Sequence, residues 1–164
     1  MRNWWWIVGA GVGAGAALGA AAAWRRVCRA LLESEYERSR REFHRQRERL
    51  EAKFFDLASN SGKPRGLRWT DCSFEDDVTY ARNRSTGELS AFVAATIAFE
   101  AIEGGLMEDV EAVGNLRAAT AVFRLDHGQW QTDGRAIFNL NPTEAIAYYR
   151  ENLVLVGQEP PAPV

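Results

Sequence analysis

The chain opens with a run of uncharged, mostly small and apolar residues that covers positions 4–24. A helix of that length rises about 30 Å at roughly 1.5 Å per residue, which matches the hydrocarbon core of a bilayer. Tryptophans stand at both ends, where this side chain prefers the membrane–water boundary, and two arginines follow at once. The pattern predicts a transmembrane helix over residues 4–24. Its predicted anchor residues are Trp4, Trp5, Trp6, Trp24, Arg25 and Arg26.

Glycines recur at four-residue spacing within this run. Small residues four apart let two membrane helices approach closely, so the spacing predicts a helix-packing face. A glycine- and alanine-rich anchor without a partner is the alternative, although the scarcity of large aliphatic residues favours a partner. The predicted packing residues are Gly9, Gly11, Gly13, Gly15 and Gly19.

Positive charge lies mainly on the C-terminal side of the predicted span. Only Arg2 and the terminal amine precede it, whereas Arg25, Arg26 and Arg29 follow closely. The positive-inside rule therefore predicts a single-pass protein of the cell (inner) membrane, with its C-terminal bulk in the cytoplasm. The alternative is a secretory signal peptide that is cleaved near Ala20–Ala23, with export of the remainder.

Residues 25–57 have the composition of one long charged helix. No glycine or proline interrupts them, good helix formers dominate, and Arg47 is spaced for an ion pair with Glu51. Apolar residues recur every seven positions, as one of the two apolar positions of a coiled-coil heptad does. The residues at the second position of the heptad are mostly polar, so only half of the seam is present. The seam predicts either a partner helix or packing on the domain that follows. The residues of this possible partner seam are Tyr36, Phe43, Leu50 and Leu57.

Beyond the turn residues Asn60–Pro64 the hydrophobic period changes to two, which is typical of β-strands. The clearest strand runs from Leu89 to Phe99, because every second residue from Leu89 onward is apolar. Turns are predicted at Asn83–Gly87 and, within a hairpin, at Asp126–Gln129. We expect about five antiparallel strands, near residues 67–74, 78–80, 89–99, 117–125 and 130–140.

Asn141, Pro142 and Glu144 form the signature of a helix start, in which Asn caps, Pro fits the first turn and Glu bonds back. Apolar residues at helical spacing extend to Leu153, and Gly157 is predicted to end the helix. The resulting boundaries are 4–24 for the transmembrane helix, 25–57 for the charged juxtamembrane helix, 58–157 for an α+β domain and 158–164 for a flexible tail.

The predicted order is a transmembrane helix, a long charged helix, a curved antiparallel sheet of about five strands and a short C-terminal helix, which is the α+β class. Over roughly residues 45–155 this order resembles the cystatin-like and NTF2-like architectures, in which a curved sheet wraps a helix. The absence of a three-helix entry favours the simpler cystatin-like version. The chain also resembles small bacterial membrane-anchored proteins, a resemblance that implies no activity.

Composition narrows the classes of partner. The net charge of −2 argues against nucleic acid bound through bulk positive charge. Cys28 and Cys72 lie far apart and have no metal-ligand spacing. We therefore expect no nucleic acid, no metal and no cofactor. The expected partners are the lipid bilayer and either another protein or a second copy of the chain.

A few polar residues are candidates for chemistry. Asp133 and Arg135 lie on one face of the predicted return strand, and Tyr80 lies on another strand. These three form a possible polar pocket, with an ordinary outward sheet face as the alternative. His127 follows Asp126 in a predicted turn, where turn chemistry is favoured over catalysis.

An acidic cluster around Gly104–Gly105 favours a solvated loop or a docking surface for a basic partner. Its members are Glu100, Glu103, Glu108, Asp109 and Glu111. The sequence contains no phosphate-binding loop, zinc-protease or serine-hydrolase motif, so no catalytic residue is assigned. The leading hypothesis is a structural or interaction role, as an accessory subunit or scaffold at the membrane. The alternative, implied by the NTF2-like resemblance, is a ligand-binding or enzymatic domain with a pocket between sheet and helix.

Overall fold

A computed structural model describes the backbone of residues 4–61, 67–102 and 116–160, and the side chains of residues 23–60, 67–102 and 116–160. The chain divides into two compact units, Met1–Glu42 and Phe43–Val164. The C-terminal unit contains all the strands of the described chain, and the candidate sites discussed below lie within it.

The N-terminal unit is formed by the first part of helix α1, Trp4–Ser61. Arg40 pairs with Glu37 at 3.3 Å, one turn apart on this helix. Among the described residues, no helix combines the length and the apolar character that crossing a membrane requires. The side chains of residues 1–22 lie outside the described part, and so almost all side chains of the predicted span 4–24 lie outside it.

The C-terminal unit packs the second part of α1 on an antiparallel sheet, and a second helix follows the fifth strand. Its six strands run in the spatial order β4-β3-β2-β1-β6, with β5 beside β3. The α+β class and the long helix are confirmed, and among the described residues the sheet has six strands where about five were expected. The elements after α1 are β1 Leu67–Asn83, β2 Leu89–Ala101, β3 Arg117–Asp126, β4 Gln129–Gln131, β5 Ala136–Phe138, α2 Pro142–Tyr148 and β6 Leu153–Glu159.

Strand β2 has the burial that its alternating sequence predicts. Successive side chains of a strand point to opposite faces, so one face of β2 lies against α1 and the other against α2. Phe92 belongs to the second face and packs with Ala145 and Ile146 of α2. The buried residues of the α1 face are Leu89, Ala91, Val93, Ala95, Ile97 and Phe99.

Strand β1 corrects the prediction of two separate strands. It is continuous for 17 residues, and its register with β2 shifts between Phe74 and Val78. The acidic residues between these positions form a bulge inside one strand. Such a bulge bends a strand and increases its twist. Arg47 of α1 holds the bulge, since its guanidinium donates to the carbonyl oxygen of Asp76 at 2.9 Å and to that of Glu75.

The predicted return strand from Trp130 to Leu140 is divided into β4 and β5. Gly134 lies between them with a φ of 75°, a left-handed conformation that interrupts an extended strand. The prediction that Asp133 and Arg135 share a strand face is therefore wrong, because both lie in the segment between the two strands. The predicted hairpin turn is confirmed, because Asp126 of β3 pairs with Gln129 of β4.

The start of α2 is confirmed, whereas its predicted end is wrong. Asn141 caps the helix and forms a reciprocal capping box with Glu144, as the sequence indicates. The helix ends at Tyr148 instead of continuing to Leu153. Residues from Leu153 onward form β6, which pairs with β1 and continues through Glu159, two residues into the predicted tail.

Candidate functional site

Aromatic side chains fill the space between the second part of α1 and the sheet. The ring centroid of Phe43 lies 5.0 Å from that of Trp130 and 5.4 Å from that of Phe123. The ring of Phe54 lies 5.9 Å from Phe123 and 5.7 Å from Phe74. Tilted and edge-to-face pairs at these separations are favourable packing contacts. A packed aromatic core thus fills the space between the second part of α1 and the sheet in the described residues.

The residues of the possible partner seam have different surroundings. Phe43 and Leu50 are buried inside the C-terminal unit, where they belong to the core. Leu57, near the end of α1, is 37 % exposed. Tyr36 lies in the N-terminal unit. The seam is therefore divided between a domain core and other positions along α1.

A polar cluster lies beside this core. The Nε2 atom of His44 on α1 lies 2.6 Å from the Oε2 atom of Glu159 on β6. The hydroxyl of Tyr80, a fully buried residue of β1, donates to the same oxygen at 3.1 Å. The contact spans 115 residues, so no local pattern could have indicated it.

A cleft lies on the opposite face of the sheet. Phe92 and Val122, a directly paired couple of β2 and β3, form its base, and both are buried. The cleft has a volume of about 300 Å³. We call it the distal cleft, because it lies on the sheet face away from α1. Its lining residues include Glu88, Phe92, Val122, Arg124, Arg135 and Tyr149.

Two arginines stand at the rim of the distal cleft. Arg124 donates to the carboxylate of Asp133 at 3.0 Å. The guanidinium carbon of Arg135 lies 5.4 Å from the centroid of the Tyr149 ring, a cation–π distance. Tyr80 faces α1 on the other side of the sheet. The backbone N–H of Arg135 donates to the carboxylate of Asp133 at 3.2 Å, so the structure brings these two residues together and separates Tyr80 from them.

The edge of the sheet at β6 carries exposed apolar side chains. In the described sheet β6 is a terminal strand that pairs with β1. Val154, Leu155 and Val156 are 40 %, 51 % and 38 % exposed. We call these three residues the β6 edge. The sequence pattern did not indicate this surface, because Leu153, which directly precedes these residues, was predicted to belong to a helix.

Several other candidates have ordinary surroundings. His127 is exposed at the hairpin turn, and its Nε2 atom lies 3.5 Å from Asp126. Glu100 pairs with Arg68 at the surface, at 3.1 Å. The remaining acidic residues of the predicted cluster, between positions 103 and 111, lie outside the described residues. Within the described ranges, no three His, Cys, Asp or Glu side chains are grouped so that they could hold a metal ion.

The thiol of Cys72 lies on β1, directly opposite Ile97 of β2. Burial, together with the negative charges of Asp71 and Glu51, raises the pKa of this thiol to about 12. The thiolate is the nucleophilic form of cysteine, so a raised pKa leaves the side chain unreactive near neutral pH.

The predicted anchor and packing residues lie on α1. Trp24 is 70 % exposed, and Arg25 and Arg26 are also exposed. The glycines from Gly9 to Gly19 and the first three tryptophans fall among the residues whose side chains are outside the described part. Comparison of the chain with protein-family models, with curated proteins and with solved structures found no match in any of the three.

Proposed function

We propose that the protein is a membrane-anchored interaction protein whose α+β domain binds another protein chain along the β6 edge. The observation that carries this proposal is the exposure of three consecutive apolar residues, Val154–Val156, on a terminal strand. The outer backbone groups of such a strand are a template for one more strand. A peptide or a neighbouring domain can therefore add to the sheet by β-augmentation.

The side chains of the β6 edge fit an added strand. Val154 pairs with Arg82 and Leu155 with Ala81, so these two side chains point to opposite faces of the sheet. An incoming strand would meet an apolar side chain above and below its backbone. Contacts of this kind supply specificity, while main-chain hydrogen bonds supply affinity. A second copy of this chain and a different protein are both possible occupants, and the experiment below separates them.

The packed core supports this proposal over the small-ligand alternative. The space between α1 and the sheet holds the fully buried rings of Phe43, Phe54 and Phe123. A ligand there would have to displace aromatic side chains from a close-packed interior, at a cost of several kcal/mol. The order of one long helix followed by an antiparallel sheet supports a cystatin-like arrangement for the domain.

The anchor is the second part of the proposal. It is supported by the uncharged run 4–24, its terminal tryptophans and the arginines that follow. We expect the full chain to stay in the membrane fraction of its own cells after washing at high salt, and a chain lacking residues 2–24 to be released. Mass determination of the mature N-terminus separates anchoring from signal cleavage. A full chain found in the soluble fraction would contradict the anchor.

The interaction is tested with a photo-cross-linking residue at position 155 of the full chain. After irradiation in native membranes, the protein is affinity-purified and its adducts are identified by mass spectrometry. We expect one reproducible protein adduct. An adduct of twice the mass of this chain would identify the partner as a second copy, and any other mass would identify a different protein.

Two lysine variants provide the matched comparison. Leu155→Lys places a charge in the proposed interface and should lower partner recovery by about tenfold, as for a central interface residue. Leu116→Lys changes another exposed leucine, directly before β3, and should leave recovery unchanged. Equal recovery with both variants, or recovery of the protein alone, would refute the β6 edge as the binding surface.

A further inference from the structure

We propose that the distal cleft binds a small organic anion that has an apolar body and one carboxylate group. This site lies on the sheet face away from α1, and the function proposed above does not use it. The proposal rests on three features of the cleft, namely its apolar base, its two rim arginines and the hydrogen bonds that fix its walls.

The base of the cleft is apolar and buried. Phe92 and Val122 lie side by side on β2 and β3, and Ile137 and Leu153 pack against the same cluster. Phe92 and Val122 are themselves nearly inaccessible, so a ligand body would replace water on the partly buried Ile137 and Leu153, which is favourable in proportion to the area covered. Inorganic anions have no apolar surface and would gain nothing from this base.

The rim of the cleft carries one guanidinium group, that of Arg135, which no carboxylate of the described residues engages. Arg124 contributes a second guanidinium group, and Glu88 contributes one carboxylate. Asp133 engages Arg124, whereas Arg135 stacks on the ring of Tyr149 and presents its charge at the rim. Guanidinium groups bind carboxylates through paired, charge-assisted hydrogen bonds. The rim therefore favours a ligand whose charged end is a carboxylate.

The walls of the cleft are fixed before any ligand arrives. The backbone N–H of Arg84, in the turn after β1, donates to the carbonyl oxygen of Asn152 at 2.8 Å. The side chain of Arg84 donates to the carbonyl oxygen of Arg150 at 3.1 Å. These bonds join the β1–β2 turn to the segment between α2 and β6, which form two sides of the cleft. A preformed site avoids the cost of ordering its walls on binding.

The size of the cleft limits the ligand. A volume of about 300 Å³ is at the lower end of the range for small-molecule sites. It accommodates on the order of ten non-hydrogen atoms, since one water molecule occupies about 30 Å³ in the liquid. A single aromatic or branched aliphatic group with one carboxylate fits this limit, whereas a nucleotide does not.

The experiment uses benzoate as the probe and the full chain in detergent. Benzoate binding is measured by ligand-observed NMR titration, in parallel with benzamide, which has the same shape without the charge. We expect benzoate to bind with a Kd on the order of 1 mM, as for a fragment of this size. Benzamide should bind at least about tenfold more weakly, because it lacks the carboxylate that the rim arginines recognise.

Two arginine variants locate the site. Arg135→Gln should weaken benzoate binding by about tenfold, because it removes the guanidinium at the rim. Arg117→Gln removes an exposed arginine from the same sheet, on β3, but outside the cleft, and should leave the Kd unchanged within about twofold.

Three outcomes would overturn the proposal. The first is that benzoate fails to bind at about 20 mM, roughly twenty times the Kd expected for a fragment. The others are that benzoate binds Arg135→Gln as tightly as the parent protein, or that inorganic phosphate displaces benzoate at equal concentration. The last outcome would mean that the rim selects charge without regard to the apolar base. These measurements do not depend on the β6 edge. Loss of cross-linking at position 155 and loss of benzoate binding are therefore separate failures.

Discussion

His44 and Glu159 are 115 residues apart in the chain, yet the Nε2 atom of the one lies 2.6 Å from the Oε2 atom of the other. The contact joins α1 to the end of β6, across the edge of the aromatic core. The same carboxylate oxygen accepts the hydroxyl hydrogen of Tyr80. One carboxylate thus connects the long helix, the first strand and the last strand.

The first prediction concerns the contribution of the hydrogen bond between Tyr80 and Glu159 to the free energy of unfolding. Tyr80→Phe removes a hydrogen bond from a buried hydroxyl to a carboxylate and should lower the free energy of unfolding by about 1.5–3 kcal/mol. Glu159→Gln keeps the shape and removes the charge. In a double-mutant cycle measured by urea denaturation, the two changes should show a coupling of about 1 kcal/mol.

Tyr148→Phe is the control for this cycle. Tyr148 is a highly exposed residue of α2, so loss of its hydroxyl should change stability by less than about 0.5 kcal/mol. If Tyr80→Phe and Glu159→Gln were strictly additive, the hydrogen bond between them would have no energetic weight in the folded protein.

The second prediction uses two glycines that have nearly the same backbone conformation. Gly134 and Gly87 have φ values of 75° and 74°. A Cβ atom at Gly134 would lie 2.6 Å from the backbone nitrogen of Ala58 and 2.8 Å from the Cβ atom of Leu57, whereas one at Gly87 would meet nothing within 4 Å. Gly87→Ala should cost about 1–2 kcal/mol from the left-handed conformation alone.

Gly134→Ala should lower the free energy of unfolding by about 1–3 kcal/mol more than Gly87→Ala does, because α1 must move away from the β4–β5 segment. Comparison of the two variants by thermal or urea denaturation separates backbone strain from steric conflict. Equal losses of stability in the two variants would mean that α1 yields to the added methyl group without cost.

Local sequence patterns specified the elements whose stability is mainly local. The alternation from Leu89 to Phe99 predicted β2 and its buried face, and the capping residues Asn141 and Glu144 predicted the first turn of α2. The Asp126–Gln129 turn is also local, because His127 and Gly128 both adopt positive φ, as a type I′ hairpin requires. Such features depend on residues that are neighbours in the chain.

The errors arose where distant contacts decide the structure. Leu153 lies at helical spacing from the apolar residues of α2, so the helix was predicted to continue past Leu153. The Leu-Val-Leu-Val segment has a strand preference of its own, and pairing with β1 determines the outcome. The acidic residues between Phe74 and Val78 looked like a break between strands because nothing in their local sequence shows that Arg47 holds them as a bulge.

The candidate sites were less predictable than the fold for the same reason. Arg135 was identified as a pocket residue, but its aromatic neighbour Tyr149 lies on a different element, at the end of α2. The cleft that they share is built from residues of four separate segments. No spacing rule relates them, so only the three-dimensional arrangement brings them together.

The third prediction tests Arg47 as the residue that holds the β1 bulge. Its guanidinium bonds to two carbonyl oxygens of the bulge and, at 2.6 Å, to the carboxylate of Glu51. Arg47→Lys keeps the charge but cannot reproduce this planar set of donors, so stability should fall by about 1–3 kcal/mol. Hydrogen exchange should accelerate in Glu75 and Asp76 before it changes elsewhere in the sheet.

Arg49→Lys is the matched control for this prediction. Arg49 is exposed on the same helix, two residues further along the chain, and its replacement should leave stability within about 0.5 kcal/mol of the parent protein. A similar small effect of Arg47→Lys, with unchanged exchange at the bulge, would show that the bulge is stable without the arginine.

The fourth prediction follows from the pKa of Cys72, which burial raises from 9.0 to about 12. Below pH 9 the thiol is protonated in both the folded and the unfolded chain, so it adds no pH dependence. Above pH 9 the thiol ionises in the unfolded chain and stays protonated in the folded one, which favours unfolding. The free energy of unfolding should therefore fall as the pH rises above 9. One fully linked proton would change the unfolding constant roughly tenfold per pH unit. The expected change is smaller than this, because the thiol is only partly buried. Urea denaturation at pH 8, 9 and 10 should show this loss in the parent protein and in Cys28→Ser, which retains Cys72, but a smaller loss in Cys72→Ser. The same pH dependence in all three proteins would assign the loss to other groups.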